Sequence, residues 1–180
     1  RDGLAKCCRV QDRKQEWLDE IIAGNKEVTD KLNPNDYLDE SKLTFPAHTY
    51  TYTTDGTGEI QYLYGLTYMC VKEFQELSDE IVEDDWSDEL KTYAYTRYII
   101  DNYAYDMYKV DDGNDPKYWS YVNHVGICRD YANIFVIMLR HQGIPCTSIA
   151  NYEHVVPIAY INGEWLAIDV NSMLPQCTQE

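Results

Sequence analysis

Basic residues are scarce in this sequence of 180 residues, because 15 lysines and arginines stand against 31 aspartates and glutamates, a net charge of -16. Such an acidic excess repels a phosphate backbone and argues against nucleic acid as a partner. Long apolar runs are also missing, and the uncharged stretches are far shorter than a helix that crosses a bilayer. We therefore expect a soluble protein without a membrane span and with the core of a single domain.

Cys-x-x-Cys pairs are absent, and six cysteines (at 7, 8, 70, 128, 146 and 177) are few for a disulfide-based fold of this length. A four-cysteine zinc site is therefore not indicated. His124 and Cys128 are four residues apart and could be two metal ligands, but Gly126 weakens a helix that would join them. A disulfide between Cys146 and Cys177 is one pairing that the sequence permits. We expect no metal and no cofactor.

The sequence does contain helix patterns in its first part. Apolar spacing predicts helices over residues 9–24, 67–82 and 88–104. The first helix should end at Gly24-Asn25, and the third should begin after Ser87 as its N-cap. The residues of the third helix that should face inward are Leu90, Ala94, Tyr98 and Ile99. Between the first two helices, β-prone residues flank a turn at 55–58 and predict a hairpin that continues to about residue 64.

A central apolar helix begins near Cys128, and Gly143 and Pro145 end it. Three strand-like runs follow, over residues 147–152, 154–161 and 165–170. The last two are joined by Asn162-Gly163, the strongest hairpin signal in the sequence. Helices first and an antiparallel sheet afterwards predict an α+β fold.

The sequence leaves four roles open for Cys128: a small core side chain, half of a disulfide, a metal ligand or a nucleophile. Taken alone, a buried core cysteine is the most common of these. A helix N-terminus, however, offers free backbone N–H groups and partial positive charge, which favour a thiolate. A cysteine nucleophile also needs a base within reach, oriented by a third group.

The hairpin places two suitable groups together. With Asn162-Gly163 as a two-residue loop, Ile161 pairs with Glu164, so that His154 lies opposite position 171. Asp169 is then a diagonal neighbour of His154 on the same face. The sequence therefore predicts an imidazole and a carboxylate in reach of each other, and contact of Cys128 with that imidazole is a hypothesis.

These motifs together resemble the core of the transglutaminase-like superfamily, which is related to papain-type cysteine enzymes. The matching segments run in the order that the family shows: Gly126-Ile127-Cys128, Gly143-Ile144-Pro145, His154, Gly163-Glu164-Trp165 and Asp169. Upstream, the segment from Thr96 to Asp106 resembles the family's preceding helix and its Asn-x-x-Tyr-Asp ending. The resemblance covers roughly residues 87–170. The separation of His154 and Asp169, 15 residues (169 − 154), is the one usual in bacterial members of the family.

The resemblance implies a papain/transglutaminase-like fold in which the Cys128 helix packs on an antiparallel sheet. It implies an N-terminal extension over residues 1–86 and a catalytic core over residues 87–180, in one compact domain. By the same resemblance Cys128 is the nucleophile, His154 the general base and acid, and Asp169 the residue that orients the imidazole. The Cys128 backbone N–H should stabilise the oxyanion. Candidates for the second oxyanion donor are Trp119, Tyr121 and Asn123.

The implied function is acyl transfer on amide bonds through a thioester, either as a peptidase or amidase or as a protein cross-linking transglutaminase. Hydrolysis is favoured, since nothing in the sequence would exclude water from the acyl-enzyme. The alternative is a non-catalytic binding or scaffolding module with the same fold. We expect a protein or peptide substrate, with cell-wall peptide as one candidate. An extracellular or cell-surface location is expected, and a cytoplasmic one stays open.

One departure concerns the substrate cleft. Val156-Pro157 replaces the Trp-Asn pair that often follows the histidine in the family.

Overall fold

A computed structural model describes residues 18–39, 68–105, 123–150, 154–171 and 173–174 of the chain. The expected hairpin, with its turn at 55–58 and its continuation to about residue 64, lies outside these residues, as does the part of the first predicted helix before residue 18. The described part contains four long α-helices, one residue of a further helix at Asn123, a short 3₁₀ helix and five strands. It confirms the predicted α+β class.

The first helix, α1, is helical over residues 18–29 and passes through Gly24 and Asn25, where an end was predicted. That prediction was wrong because Asn25 is fully buried and makes tertiary contacts. Its side-chain amide donates to the Ile21 carbonyl at 2.8 Å and to the Ala150 carbonyl at 3.2 Å. A 3₁₀ helix, Pro34–Tyr37, follows, with Asn33 as its N-cap.

The next two helices are close to their predicted bounds, with α2 at Tyr68–Ile81 and α3 at Asp88–Asn102. Ser87 is the N-cap of α3, and its hydroxyl accepts from the Leu90 N–H at 3.3 Å. The inward face of α3 is centred on Tyr95 and Ile99, both fully buried. Leu90 is 44% exposed, so its predicted inward orientation was wrong.

The central helix, α4, spans Cys128–His141, and every residue from 130 to 140 is buried. A helix that is apolar on nearly all faces must be covered on all of them. Helix α2 packs on one side of α4, and the sheet packs on another. Gly143 follows the helix with φ +74°, a left-handed conformation that glycine adopts without strain.

Strands β3 (Cys146–Ala150), β4 (Val155–Ile161) and β5 (Glu164–Ala167) form an antiparallel sheet in that order. The predicted register is confirmed, because Ile161 pairs with Glu164. Asn162 and Gly163 have φ of +52° and +91°, as a two-residue type I′ turn requires.

A second, shorter sheet was not predicted. Strand β1 (Ala104–Tyr105) pairs in parallel with β2 (Val125–Gly126), and Tyr105 lies opposite Gly126. Two residues after Gly126, helix α4 begins. The pair therefore brings the end of α3 beside the N-terminus of the central helix.

Apolar side chains cover both faces of the three-stranded sheet. On one face the sheet contributes Cys146, Ala159 and Ile161 to the core that it forms with α2, α3 and α4. On the other face Ile149, Val156 and Ile158 pack against Ile21 of α1. Cys146 is a free, buried thiol, so the permitted disulfide with Cys177 is not formed. In the described part of the chain, no helix has the length and apolar character that a bilayer span requires.

Candidate active site

Cys128 is the first residue of α4, where the sequence placed it. The preceding residue, Ile127, is the N-cap, and its N–H donates to Asp130 Oδ2 at 2.9 Å. This bond fixes the first turn of the helix, because an N-cap backbone donor would otherwise lack an intrahelical partner. Cys128 is a free thiol and is partly buried.

His154 directly precedes β4, and Asp169 lies two residues beyond the end of β5. The hairpin register brings them together: His154 Nε2 lies 3.0 Å from Asp169 Oδ2. Their side chains are only 11% and 8% exposed. A charge-assisted hydrogen bond of this length in a largely dry site orients the imidazole ring strongly.

Cys128 completes the cluster, because its side chain is hydrogen-bonded to His154. Burial would raise the pKa of the Cys128 thiol, but the hydrogen bond and charge of His154, with the Val155 N–H and the Tyr105 side chain, lower it. Burial would lower the pKa of His154, yet hydrogen bonds to Asp169 and Cys128 raise it to about 9. These opposite shifts favour a thiolate and an imidazolium at neutral pH.

The Asp169 carboxylate is held by a second residue, Asn171. The Asn171 backbone N–H donates to Asp169 Oδ1 at 3.0 Å, and its side-chain amide donates to the same oxygen at 2.7 Å. Burial would raise the pKa of Asp169, but His154 and these two donors lower it. Asp169 therefore stays ionised beside the imidazolium.

Tyr105 also contacts the thiol, a feature that the sequence analysis missed. Its hydroxyl donates to the Cys128 sulfur and accepts from the Cys128 backbone N–H. Burial, followed by the neighbouring Cys128, raises the pKa of Tyr105 above its ordinary value, so the phenol keeps its proton. The β1–β2 pair positions this residue, and the Tyr131 hydroxyl donates to the Ala104 carbonyl next to it. The signal was the tyrosine of the Asn-x-x-Tyr-Asp ending.

The other predicted donors have different positions. Trp119 and Tyr121 lie outside the described residues, and Asn123 is exposed just before β2. The Cys128 N–H lies beside the thiol, in contact with Tyr105. All four stay predictions as oxyanion donors.

The metal alternative gains nothing from the geometry. His124 precedes β2 with φ +55° and is not on the helix that Cys128 begins. Its ring stacks on Tyr103 with centroids 4.6 Å apart. Among the described residues, no group of three or more His, Cys, Asp or Glu side chains could hold a metal ion.

A cavity of about 470 Å³ lies at the turn end of the β4–β5 hairpin, opposite to the end that carries His154 and Asp169. Tyr160, Trp165 and Ile22 are among its lining residues, and none of the Cys128 cluster is.

The family model of the transglutaminase-like superfamily matches residues 75–170, more than half of the chain. The chain belongs to this superfamily. The match contains α3, α4, the three-stranded sheet and the whole Cys128, His154 and Asp169 cluster. No curated protein matches the chain.

Two solved structures are similar to part of the chain, and the first of them shares its fold. The periplasmic domain of TgpA from Pseudomonas aeruginosa, solved with ethylmercury, aligns with a TM-score of 0.50 and 16% identity over 58% of this chain and 45% of that one. A candidate cysteine protease from Cytophaga hutchinsonii aligns with a TM-score of 0.43 and 22% identity over 58% and 39%. The chain therefore covers less than half of either solved chain.

Proposed function

We propose that this transglutaminase-like protein is a cysteine-dependent amidase with Cys128 as nucleophile, His154 as general acid and base, and Asp169 as the orienting residue. One observation carries the proposal: a thiol at a helix N-terminus is hydrogen-bonded to an imidazole whose Nε2 lies 3.0 Å from a buried carboxylate. Each member supplies what the next one needs, as a nucleophile, base and orienting group must.

The reaction begins with attack of the Cys128 thiolate on an amide carbonyl, which forms a carbon–sulfur bond and an oxyanion. Two donors lie beside the sulfur, the Cys128 backbone N–H and the Tyr105 hydroxyl. In the resting site the N–H donates to the Tyr105 oxygen, and the hydroxyl donates to sulfur. The oxyanion would accept from both in place of these partners. Donors of this kind stabilise the charge that develops in the transition state.

Collapse of the intermediate breaks the carbon–nitrogen bond, and the His154 imidazolium gives its proton to the departing amine. This step requires a protonated imidazole, and the raised pKa of His154, about 9, supplies one at neutral pH. Neutral His154 then takes a proton from the water or amine that attacks the thioester carbonyl, and collapse of this second intermediate breaks the carbon–sulfur bond, which restores the Cys128 thiolate and the His154 imidazolium. Water gives hydrolysis, and a second amine gives transamidation. We favour hydrolysis by a peptidase or amidase, and an extracellular or cell-surface location with a protein or peptide substrate.

The experiment uses a peptide library digested from whole-cell protein, incubated with the chain in the presence of excess glycine methyl ester. Mass spectrometry of the products separates hydrolysis from incorporation of the added amine. Intact-mass measurement of quenched samples should reveal an acyl adduct on Cys128. Cys128→Ser should abolish both products and adduct.

Two results would overturn the proposal. Turnover that survives Cys128→Ser would place the chemistry elsewhere. The second result is the absence of any product together with a Cys128 that reacts with iodoacetamide no faster than an ordinary small-molecule thiol. It would favour a binding or scaffolding module that keeps the fold.

A further inference from the structure

Asn171 is a buried polar residue two positions after Asp169. It is 5% exposed and lies just beyond β5 in a turn. Its backbone N–H and its side-chain amide both donate to one atom, Asp169 Oδ1, at 3.0 Å and 2.7 Å. A carboxylate that accepts from the backbone N–H two residues later forms an Asx-turn, a local structure that depends only on neighbouring residues.

This contact divides the carboxylate between two partners. Oδ1 receives both donors of Asn171, and Oδ2 lies 3.0 Å from His154 Nε2. The backbone donor fixes the position of Oδ1. The side-chain donor also resists rotation of the carboxylate about the Cβ–Cγ bond of Asp169. Rotation would turn Oδ2 away from the imidazole. The arrangement thus leaves the carboxylate one orientation in which both oxygens are satisfied.

Asn171 also reaches the imidazole, because its Nδ2 lies 3.4 Å from His154 Nε2. Both nitrogens carry hydrogen when Nε2 donates to Asp169, so this approach is a packing contact rather than a hydrogen bond. It places the amide against the ring edge that faces Asp169.

We infer that Asn171 is a positioning residue that holds Asp169 so that its Oδ2 faces His154 Nε2, and that it thereby sustains the Cys128 thiolate. The inference rests on the proposed function for its catalytic meaning, but its physical content is a property of the resting site. The same two donors stabilise the ionised carboxylate, which lowers the pKa of Asp169. An ionised Asp169 keeps His154 protonated, and a protonated His154 keeps Cys128 ionised.

The test compares Asn171→Ala, Asn171→Ser and Asn171→Asp. Alanine removes the side-chain donor, and serine retains a shorter one. Aspartate keeps the size of asparagine but replaces the donor with a second carboxylate beside Asp169. The readouts are the rate of Cys128 alkylation by iodoacetamide as a function of pH, followed by peptide mapping, and the melting temperature.

We expect Asn171→Ala to slow alkylation at neutral pH by about tenfold and to move the midpoint of the pH profile upward. Asn171→Ser should recover part of the rate. Asn171→Asp should behave differently from Asn171→Ala in the position of the midpoint, because like charges beside Asp169 raise carboxyl pKa values. Three variants with equal melting temperature losses and unchanged pH profiles would overturn the inference.

A double-mutant cycle decides whether Asn171 acts through Asp169. In an Asp169→Asn background, Asn171→Ala should slow alkylation less than twofold further, since residues that act as one unit are not additive. A full tenfold loss in that background would overturn the inference. Alkylation needs no substrate, so the two proposals fail separately. If the effects of Asn171→Ala and Asp169→Asn on alkylation are additive while amidase activity is intact, only the role of Asn171 is overturned. If they are non-additive but no amidase activity is found, only the proposed function is overturned.

Discussion

His154 Nε2 lies 3.0 Å from Asp169 Oδ2, and this contact determines which ring nitrogen is left for the thiol. With Nε2 donating to the carboxylate, Nδ1 is the nitrogen that can face Cys128. The imidazole is therefore held between an anion on one side and a group that becomes an anion on the other. This position explains why the pKa of His154 rises to about 9 although burial alone would lower it.

The first prediction concerns the ionisation of Cys128. Its alkylation by iodoacetamide should follow a pH profile with a midpoint below 9.0, the ordinary thiol value. In His154→Ala the midpoint should move upward, because burial then acts against the thiolate without the imidazolium. Once the midpoint lies above pH 7, each further unit of upward shift slows alkylation at pH 7 by about tenfold. Peptide mapping of the labelled cysteine over pH 5 to about 10 measures it.

The chain supplies an internal control for this profile. Cys146 is a free thiol, and burial raises its pKa to about 12. It should stay unlabelled in the folded protein at every pH at which Cys128 reacts. Equal labelling of the two cysteines, or a midpoint that His154→Ala leaves in place, would contradict the imidazolium–thiolate pair.

The second prediction concerns Tyr105. In Tyr105→Phe, acylation of Cys128 by p-nitrophenyl acetate should slow by about 10²-fold, as loss of one oxyanion donor does in other enzymes. Alkylation by iodoacetamide forms no oxyanion, so it should stay within a few fold at a pH where both variants are fully ionised. Stopped-flow burst measurements give the acylation rate. Tyr93→Phe is the control, since Tyr93 is 62% exposed. If Tyr105→Phe slows acylation and alkylation equally, Tyr105 stabilises the Cys128 thiolate rather than the oxyanion.

Features that depend on local sequence could be predicted. The type I′ turn at Asn162-Gly163 fixes the pairing of Ile161 with Glu164, and this register brings His154 and Asp169 together. The N-cap at Ser87 likewise fixed the start of α3. Each of these rests on a few adjacent residues whose backbone preferences are strong.

Features that depend on distant contacts could not be predicted. Helix α1 continues through Gly24-Asn25 because Asn25 bonds to the Ala150 carbonyl, 125 residues away. Tyr105 reaches Cys128 through the β1–β2 pair, two strands of two residues each, which are too short for a periodic pattern. Leu90 is exposed because Tyr95 and Ile99 set the inward face of α3. Tertiary packing decided all three.

The third prediction concerns stability and pH. The pKa of Asp169 is lowered from its ordinary value of 3.8 in the folded protein. The ionised carboxylate therefore contributes to the free energy of unfolding above pH 3.8, and this contribution is lost as the pH falls through the folded pKa. The pKa of His154 is raised from 6.5 to about 9. The stability that the protonated imidazole contributes is therefore complete below pH 6.5 and is lost as the pH rises toward 9. Asp169→Asn should therefore cost most between those limits, about 3 kcal/mol near pH 6, and less near pH 9.5.

Thermal unfolding across pH 4 to about 10 measures this cost. Asp101→Asn is the matched control, because Asp101 pairs with Arg97 at 2.6 Å while both are about half exposed. An exposed pair should contribute under about 1 kcal/mol. A loss in Asp169→Asn that does not vary with pH would mean that the buried carboxylate and imidazole are not linked.

The fourth prediction tests the turn that sets the register. Gly163 has φ +91°, and a methyl group added at its Cα would have no neighbouring atom within 4 Å, so Gly163→Ala meets only backbone strain. It should lower the free energy of unfolding by about 1–2 kcal/mol, measured by urea denaturation. The adjacent exposed control, Glu164→Ala, should change it by less than about 0.5 kcal/mol. Because the register survives, the midpoint of Cys128 alkylation should not move. A moved midpoint would show that pairing had slipped and had separated His154 from Asp169.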